Sequence, residues 1–218
     1  MGHLAYLFLQ VALLLSHCLA GNPSTHAGCF EAMALPDSIV ARMQGRSLPQ
    51  GADVNLDELR YLRLSYIGYD GREHVGEMVC NKRIADDLLY VFRHLYEEAY
   101  PIASIRLIDD FDADDERSMR ANNTSCFCYR TVAGSAKLSK HSMGLAVDIN
   151  PLQNPCVRRR RDGTTTVEPA TAKPYVRRRP RQKYMIDTSD KAYRLFRERG
   201  FIWGGAWRTV KDYQHFEK

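Results

Sequence analysis

The chain has 218 residues, 44% hydrophobic and 26% charged, with a formal net charge of +5. That length fits one domain, or one domain with an extension, and the composition is ordinary for a soluble protein with a sizeable core. The positive charge is local: residues 157–183 hold ten Lys/Arg against two acids, so basic character belongs to one segment and not to the fold.

Residues 4–15 form a short apolar run, and Cys18-Leu19-Ala20 then offers small residues at the −3 and −1 positions of a cleavage site. This pattern predicts an export signal cleaved after Ala20, although no Lys or Arg precedes the run. The run is short for a membrane span, and no later segment could be one. Leu15-Ser16-His17-Cys18 is a faint lipoprotein box, with His17 a poor residue before the cysteine. The expected organisation is a signal over 1–20, a loosely packed arm over 21–58 and one domain over 59–218. The product is expected in the periplasm, the cell envelope or outside the cell.

Residues 61–67 alternate and read as a strand. Asp70-Gly71 supplies a turn, and residues 74–80 return as the second strand of a hairpin. Residues 84–99 carry Ile84, Leu88, Val91, Phe92, Leu95 and Ala99 at helical spacing, with Asn81 as cap and Pro101 as terminator. Residues 105–108 read as a strand running into an acidic loop over 109–116, and residues 122–125 read as a turn. A strand is expected over 145–149. The basic stretch 157–183 has Pro, Thr and Gly and few large apolar residues, so it reads as a loop inserted in the domain. Residues 190–199 form a second helix, with Ala192, Leu195 and Phe196 inward and Gly200 as its stop. Residues 201–207 are compact and aromatic. Trp203 and Trp207 are expected to pack beside the site, with Gly204 and Gly205 allowing a tight bend.

Loss of the signal would remove Cys18 and leave Cys29, Cys80, Cys126, Cys128 and Cys156. Export permits disulfides, the odd count leaves at least one thiol unpaired, and the pairing is open. Cys126 and Cys128 are too close for an easy mutual bridge, and no second cysteine pair supports a metal reading of them.

Asp148 stands in the middle of an apolar strand, where a carboxylate is costly unless a cation pairs with it. His141 precedes it with Gly144 between, and His215 lies far downstream. Two imidazoles and a carboxylate suit zinc and leave a fourth position open, the mark of a catalytic site. The same residues also fit a core histidine beside a buried ion pair. His26, His74 and His94 have no partners at metal spacing.

Ser139-x-His141-x-x-Gly144-x-Ala146-x-Asp148, followed by Asp212-x-x-His215, resembles the zinc D-alanyl-D-alanine carboxypeptidase family. That family is VanY- and VanX-like and includes L-alanyl-D-glutamate endopeptidases. Asn123-Thr124-Ser125, Phe127-Cys128-Tyr129-Arg130, Asp148-Ile149-Asn150-Pro151, Asn154-Pro155, Trp203-Gly204-Gly205-x-Trp207 and Asp212-Tyr213-Gln214-His215-Phe216-Glu217 resemble one of its subgroups in order and spacing. The likeness runs from about residue 59 to 218. It implies an α+β fold with a small, mainly antiparallel sheet and flanking helices, like the hedgehog and DD-peptidase zinc domains.

By that resemblance His141, Asp148 and His215 hold Zn2+ and Asp212 is the general base, often Glu in relatives. Glu217 is its rival. An extended chain would put Glu217 on the face of His215, and a helical turn would put Asp212 there. Arg130 is the oxyanion partner, or else a structural arginine paired with the acidic loop. Arg106 and Arg117 are weaker candidates, and the Asp110-Phe111-Asp112 region lacks the arginine that relatives often carry there, a departure that leaves the oxyanion assignment open. Ser139 either hydrogen-bonds near the ligand loop or caps a turn.

The implied reaction is hydrolysis of peptidoglycan stem peptides at a bond involving a D-amino acid. Carboxypeptidase action on D-Ala-D-Ala and endopeptidase action on L-Ala-D-Glu are both open, and a phage-type lysin is a further form of the same chemistry. The alternative is a non-catalytic zinc-containing module that binds cell wall. The basic loop could meet an anionic envelope polymer. Nucleic acid is not expected, since only Tyr175 and Tyr184 interleave the arginines.

Overall fold

A computed structural model describes residues 28–132, 134–160 and 162–218. The expected signal segment, with Cys18, and His26 lie outside the described residues. The elements in chain order are β1 (Phe30–Met33), α1 (Asp37–Met43), β2 (Leu59–Ile67), β3 (Glu73–Asn81), α2 (Lys82–Glu97), β4 (Ser104–Ile105), α3 (Asp115–Arg120) and β5 (Asn123–Thr124). There follow β6 (Ala146–Asp148), β7 (Cys156–Arg159), β8 (Thr165–Glu168), α4 (Lys191–Glu198), β9 (Ile202–Trp203), β10 (Val210–Asp212) and β11 (His215–Glu217). The class is α+β, as expected, but the strands fall into three three-stranded antiparallel sheets and one parallel pair, β4–β5, rather than one small sheet.

The hairpin and the first helix form because their apolar spacing matches their geometry. β2 and β3 pair in register from Leu59↔Asn81 to Ile67↔Glu73. Leu62 and Leu64 point to α2, whose Ile84, Leu88, Val91, Phe92 and Leu95 are almost fully buried. Asn81 caps α2 by accepting from Arg83 N–H at 3.0 Å. The helix stops before Pro101: Ala99 takes φ 50 and Tyr100 N–H closes onto Leu95 C=O at 2.8 Å. Ala99 is therefore beyond the helix and exposed, not on its buried face.

Several expectations change. Residues 28–58 are built into the fold rather than loosely packed. β1 extends the first sheet beside β2, and Ile39 and Met43 of α1 pack on Leu59, Tyr61 and Val79. The strand expected over 105–108 is cut short at Ile105 and followed by a 3-10 turn over Ile108–Phe111, and the acidic loop runs into α3, capped by Asp114. Asn123, expected in a turn, sits in β5.

The basic stretch is not an irregular loop. Its first part is the β7–β8 hairpin, which joins β10 in the order β10-β7-β8. Two of its arginines serve the interior. Arg178 donates to Gln153 C=O (2.7 Å) and Ile186 C=O (2.7 Å) and lies over the Tyr213 ring, and Arg181 pairs with Asp190 at 2.7 Å.

The short strands around β6 are held by buried amides. Asn123 accepts from Arg106 N–H and donates to Arg106 C=O, fixing β5 against β4. Asn150, at φ 46, accepts from Ala103 N–H and donates to Pro101 C=O. Asn154 donates to Asn150 C=O and Tyr184 C=O and accepts from Ile186 N–H at 2.7 Å. All three are essentially inaccessible to solvent. Buried polar groups must be paired, so these contacts set where the chain can run.

Candidate metal centre and cleft

His141 lies on a 3-10 turn over Lys140–Met143, which Ser139 caps by accepting from His141 N–H at 3.2 Å. Ser139 is thus the turn cap, one of the two roles expected for it. Gly144 ends the turn at φ 64 and donates to His141 C=O. A Cβ at Gly144 would lie 2.6 Å from Asn81 N, so both the left-handed backbone and the contact require glycine. The chain then enters β6, and Asp148 faces His215 directly across the β6–β11 pair.

The three side chains converge. His141 Nε2 is 3.2 Å from His215 Nδ1 and 3.3 Å from Asp148 Oδ2, and His215 Nδ1 is 3.1 Å from Asp148 Oδ1. All three residues are buried. Tetrahedral zinc with bonds of about 2.0–2.1 Å needs ligand atoms about 3.3–3.4 Å apart, so the donor types and spacings are close to those such an ion requires. The far ring nitrogens are also held: His141 Nδ1 lies 2.6 Å from Cys126 C=O, and His215 Nε2 lies 3.1 Å from Glu217 Oε2. Partners of this kind fix the tautomer and orientation of metal-binding imidazoles.

The cluster opens into a cleft of about 470 Å³, which Arg130, Asp212 and Glu217 also line. β10 is extended, and Asp212 reaches the cleft from β10 while Glu217 reaches it from β11. Asp212 Oδ1 is buried without a hydrogen-bond partner. Gly204 permits this packing: a Cβ there would lie 2.8 Å from Asp212 Cβ and 3.2 Å from His215 Cβ. Arg130 pairs with Asp115 at 3.1 Å, while its buried Nε has no partner. The ion pair expected of a structural arginine is present, and Arg130 also lines the cleft. Arg106 and Arg117 pair with Asp110 and Asp112 on the exposed surface and do not line the cleft. Trp207 forms part of the cleft wall, its ring 5.2 Å from His215. Trp203 is core, donating from Nε1 to Tyr213 C=O at 2.9 Å.

Charges are strongly coupled here. Burial opposes ionisation of Asp148, yet His141 and His215 outweigh it and hold the carboxyl well below its usual range. Burial also disfavours a charged His215, but Asp148 and Glu217 raise its pKa to about 10. Burial, aided by the Asp148 charge, pushes Asp212 up to about 6 despite the attraction of His215. Two buried carboxylates thus have opposite tendencies, which suits one to a cation and the other to carrying a proton.

No disulfide joins the cysteines among the described residues, and burial pushes the thiols of Cys80, Cys126, Cys128 and Cys156 upward. Burial thus favours their neutral form, which argues against thiolate nucleophiles.

Residues 133–218 match the D-alanyl-D-alanine carboxypeptidase family. The matched segment carries the three clustered residues together with Asp212 and Glu217; Arg130 and Asp115 lie just upstream. The match covers less than half of the chain and agrees with the resemblance read from the motifs. The chain matches no curated protein and no solved structure at a significant level. No helix among the described residues is long and apolar enough to cross a membrane.

Sequence reasoning brought together His141, Asp148, His215, Asp212 and Arg130. It did not place Asp115, Cys156, Arg158 or Glu168 in the cleft. The last three sit on the hairpin taken for a loop, where only the alternation at Cys156-Val157-Arg158 could have signalled a strand.

Proposed function

We propose that the chain is an exported zinc peptidase that hydrolyses peptidoglycan stem peptides at a bond whose amine side is a D-amino acid. The observation that carries this reading is a buried His141–Asp148–His215 donor set opening into a cleft beside Asp212, whose Oδ1 is buried without a hydrogen-bond partner. Zinc bound by these three residues supplies Lewis-acid polarisation of the scissile carbonyl and of a water molecule.

The chain's own groups do the rest. Asp212 takes a proton from the attacking water and delivers it to the leaving amine, a task suited to a carboxyl with a raised pKa. Arg130, steadied by Asp115, keeps donors free for the oxygen on which negative charge develops. Cys126 C=O and Glu217 hold the two imidazoles in place. Glu217 therefore acts through His215, which leaves the base to Asp212.

The test is incubation of zinc-loaded and chelator-stripped protein with muropeptides, followed by mass spectrometry, with Asp212→Asn in parallel. Zinc-dependent loss of one D-Ala identifies a carboxypeptidase, and scission between L-Ala and D-Glu an endopeptidase. Asp212→Asn is expected to bind zinc normally and to lose about 100- to 10,000-fold in kcat. A folded, zinc-bound protein that cleaves nothing would sink the reading in favour of a non-catalytic wall-binding module.

A further inference from the structure

β10, β7 and β8 form one wall of the cleft, and their register sets which residues share it. Asp212 pairs with Cys156 and Cys156 with Glu168, while the next row runs Val210, Arg158, Thr166. Side chains two apart on a strand share a face. Asp212, Cys156, Glu168, Val210 and Arg158 all line the cleft, whereas Val157 and Lys211 between them do not. Arg158 thus stands one row from Asp212, roughly 7 Å along the strand.

The cleft's other cations differ in position or are engaged. Arg130 is paired with Asp115, and Lys140 donates to Lys218 C=O. Lys137 belongs to the segment leading to His141, on a different element from Asp212. Arg158 is half-buried, forms no salt bridge among the described residues, not even with Glu168 one row away, and lines the cleft on the wall that carries Asp212.

Resting on the peptidase reading above, we propose that Arg158 is the specificity residue that binds the carboxylate on the carbon next to the scissile nitrogen. The base that protonates the leaving amine marks the leaving-group side of the cleft, and Arg158 is its neighbour there. In D-Ala-D-Ala the leaving residue carries its terminal α-carboxylate on that carbon. In stem peptides D-Glu is linked onward through its γ-carboxyl, so the leaving D-Glu of L-Ala-D-Glu carries a free α-carboxylate at the same place. The two bonds share one recognition element, a scissile N–H on a carbon bearing a carboxylate, and a planar guanidinium matches it bidentately.

The experiment compares acetyl-D-Ala-D-Ala with its C-terminal amide, and an L-Ala-γ-D-Glu peptide with its α-amide. Binding is measured by calorimetry on chelator-stripped protein, and cleavage on the zinc-loaded form, for the wild type, Arg158→Gln and Arg158→Lys. The wild type is expected to favour a carboxylate form over its amide by about 10- to 100-fold, in binding and in KM rather than kcat. Arg158→Gln treats the two forms alike, and Arg158→Lys keeps part of the preference. A wild type indifferent to the carboxylate, or an Arg158→Gln variant that keeps the full preference, overturns the proposal even if cleavage stands. Carboxylate-selective binding that Arg158→Gln abolishes, without cleavage, upholds Arg158 and defeats the peptidase reading. Neither binding nor cleavage overturns both.

Discussion

The β2–β3 hairpin with α2 and the short strands around β6 and β11 belong to one molecule but are specified differently. In the first region, nine-residue strands and a sixteen-residue helix bury apolar side chains at regular spacing. In the second, strands of two or three residues are located by Asn123, Asn150 and Asn154, whose side chains hold backbone groups of distant segments. Apolar packing tolerates small adjustments, whereas an amide bonded to several backbone groups fixes their positions closely. The region that must hold three donor atoms within hydrogen-bonding distance of one another is the one built with amides.

Substitutions can break this comparison. Leu88→Ala in the apolar region is expected to cost about 2–5 kcal/mol of global stability, read by urea denaturation, with zinc affinity of the folded protein unchanged. Asn154→Ala leaves several backbone groups without partners, and about 1–3 kcal/mol is expected for each one that stays dry. Unlike Leu88→Ala it should also weaken zinc binding, measured by competition with a chromogenic chelator. Equal effects of both variants on zinc affinity would erase the distinction between the two regions.

Finer perturbations sharpen it. Glu217→Gln keeps the shape but loses the charge that orients His215, and about a 10-fold loss of zinc affinity is expected with little change in melting temperature. A further perturbation needs no substitution and is read as a pH slope. The metal-free His215 has its pKa raised to about 10, so below that pH zinc must displace its proton. Zinc affinity should therefore rise roughly tenfold per pH unit between pH 6 and 8 for each proton displaced. The sign reverses for stability of the stripped protein. The proton on His215 favours the fold fully below its unfolded pKa of about 6.5, and that contribution is lost as pH rises toward 10. Denaturation of chelated protein across this range reads it.

The same division explains what the sequence revealed. The hairpin, α2 and α4 were legible because their apolar periods are long enough to register, and their caps, Asn81 and Asp190, stand where the pattern begins. β4, β5, β9, β10 and β11 have no period to detect at two or three residues. The His141–Asp148–His215 cluster was legible only because Asp148 violates the apolar rule of its strand and because the ordered motifs resemble a peptidase family. The β7–β8 hairpin was missed because its arginines mask the alternation of Cys156, Val157 and Arg158. The roles of Asn123, Asn150 and Asn154 were hidden, since an asparagine in a motif looks the same whether it meets substrate or backbone.

β11 is the central strand of its sheet, lying between β6 and β9, and it pairs His215 with an aspartate 67 residues earlier. Both neighbours are synthesised before it, so that sheet has no middle until β11 emerges. A nascent chain that stops short of His215 offers zinc only His141 and Asp148, a two-donor site too weak to trap the metal early. On the proposed zinc reading, the complete three-donor set exists only once β11 has closed that sheet.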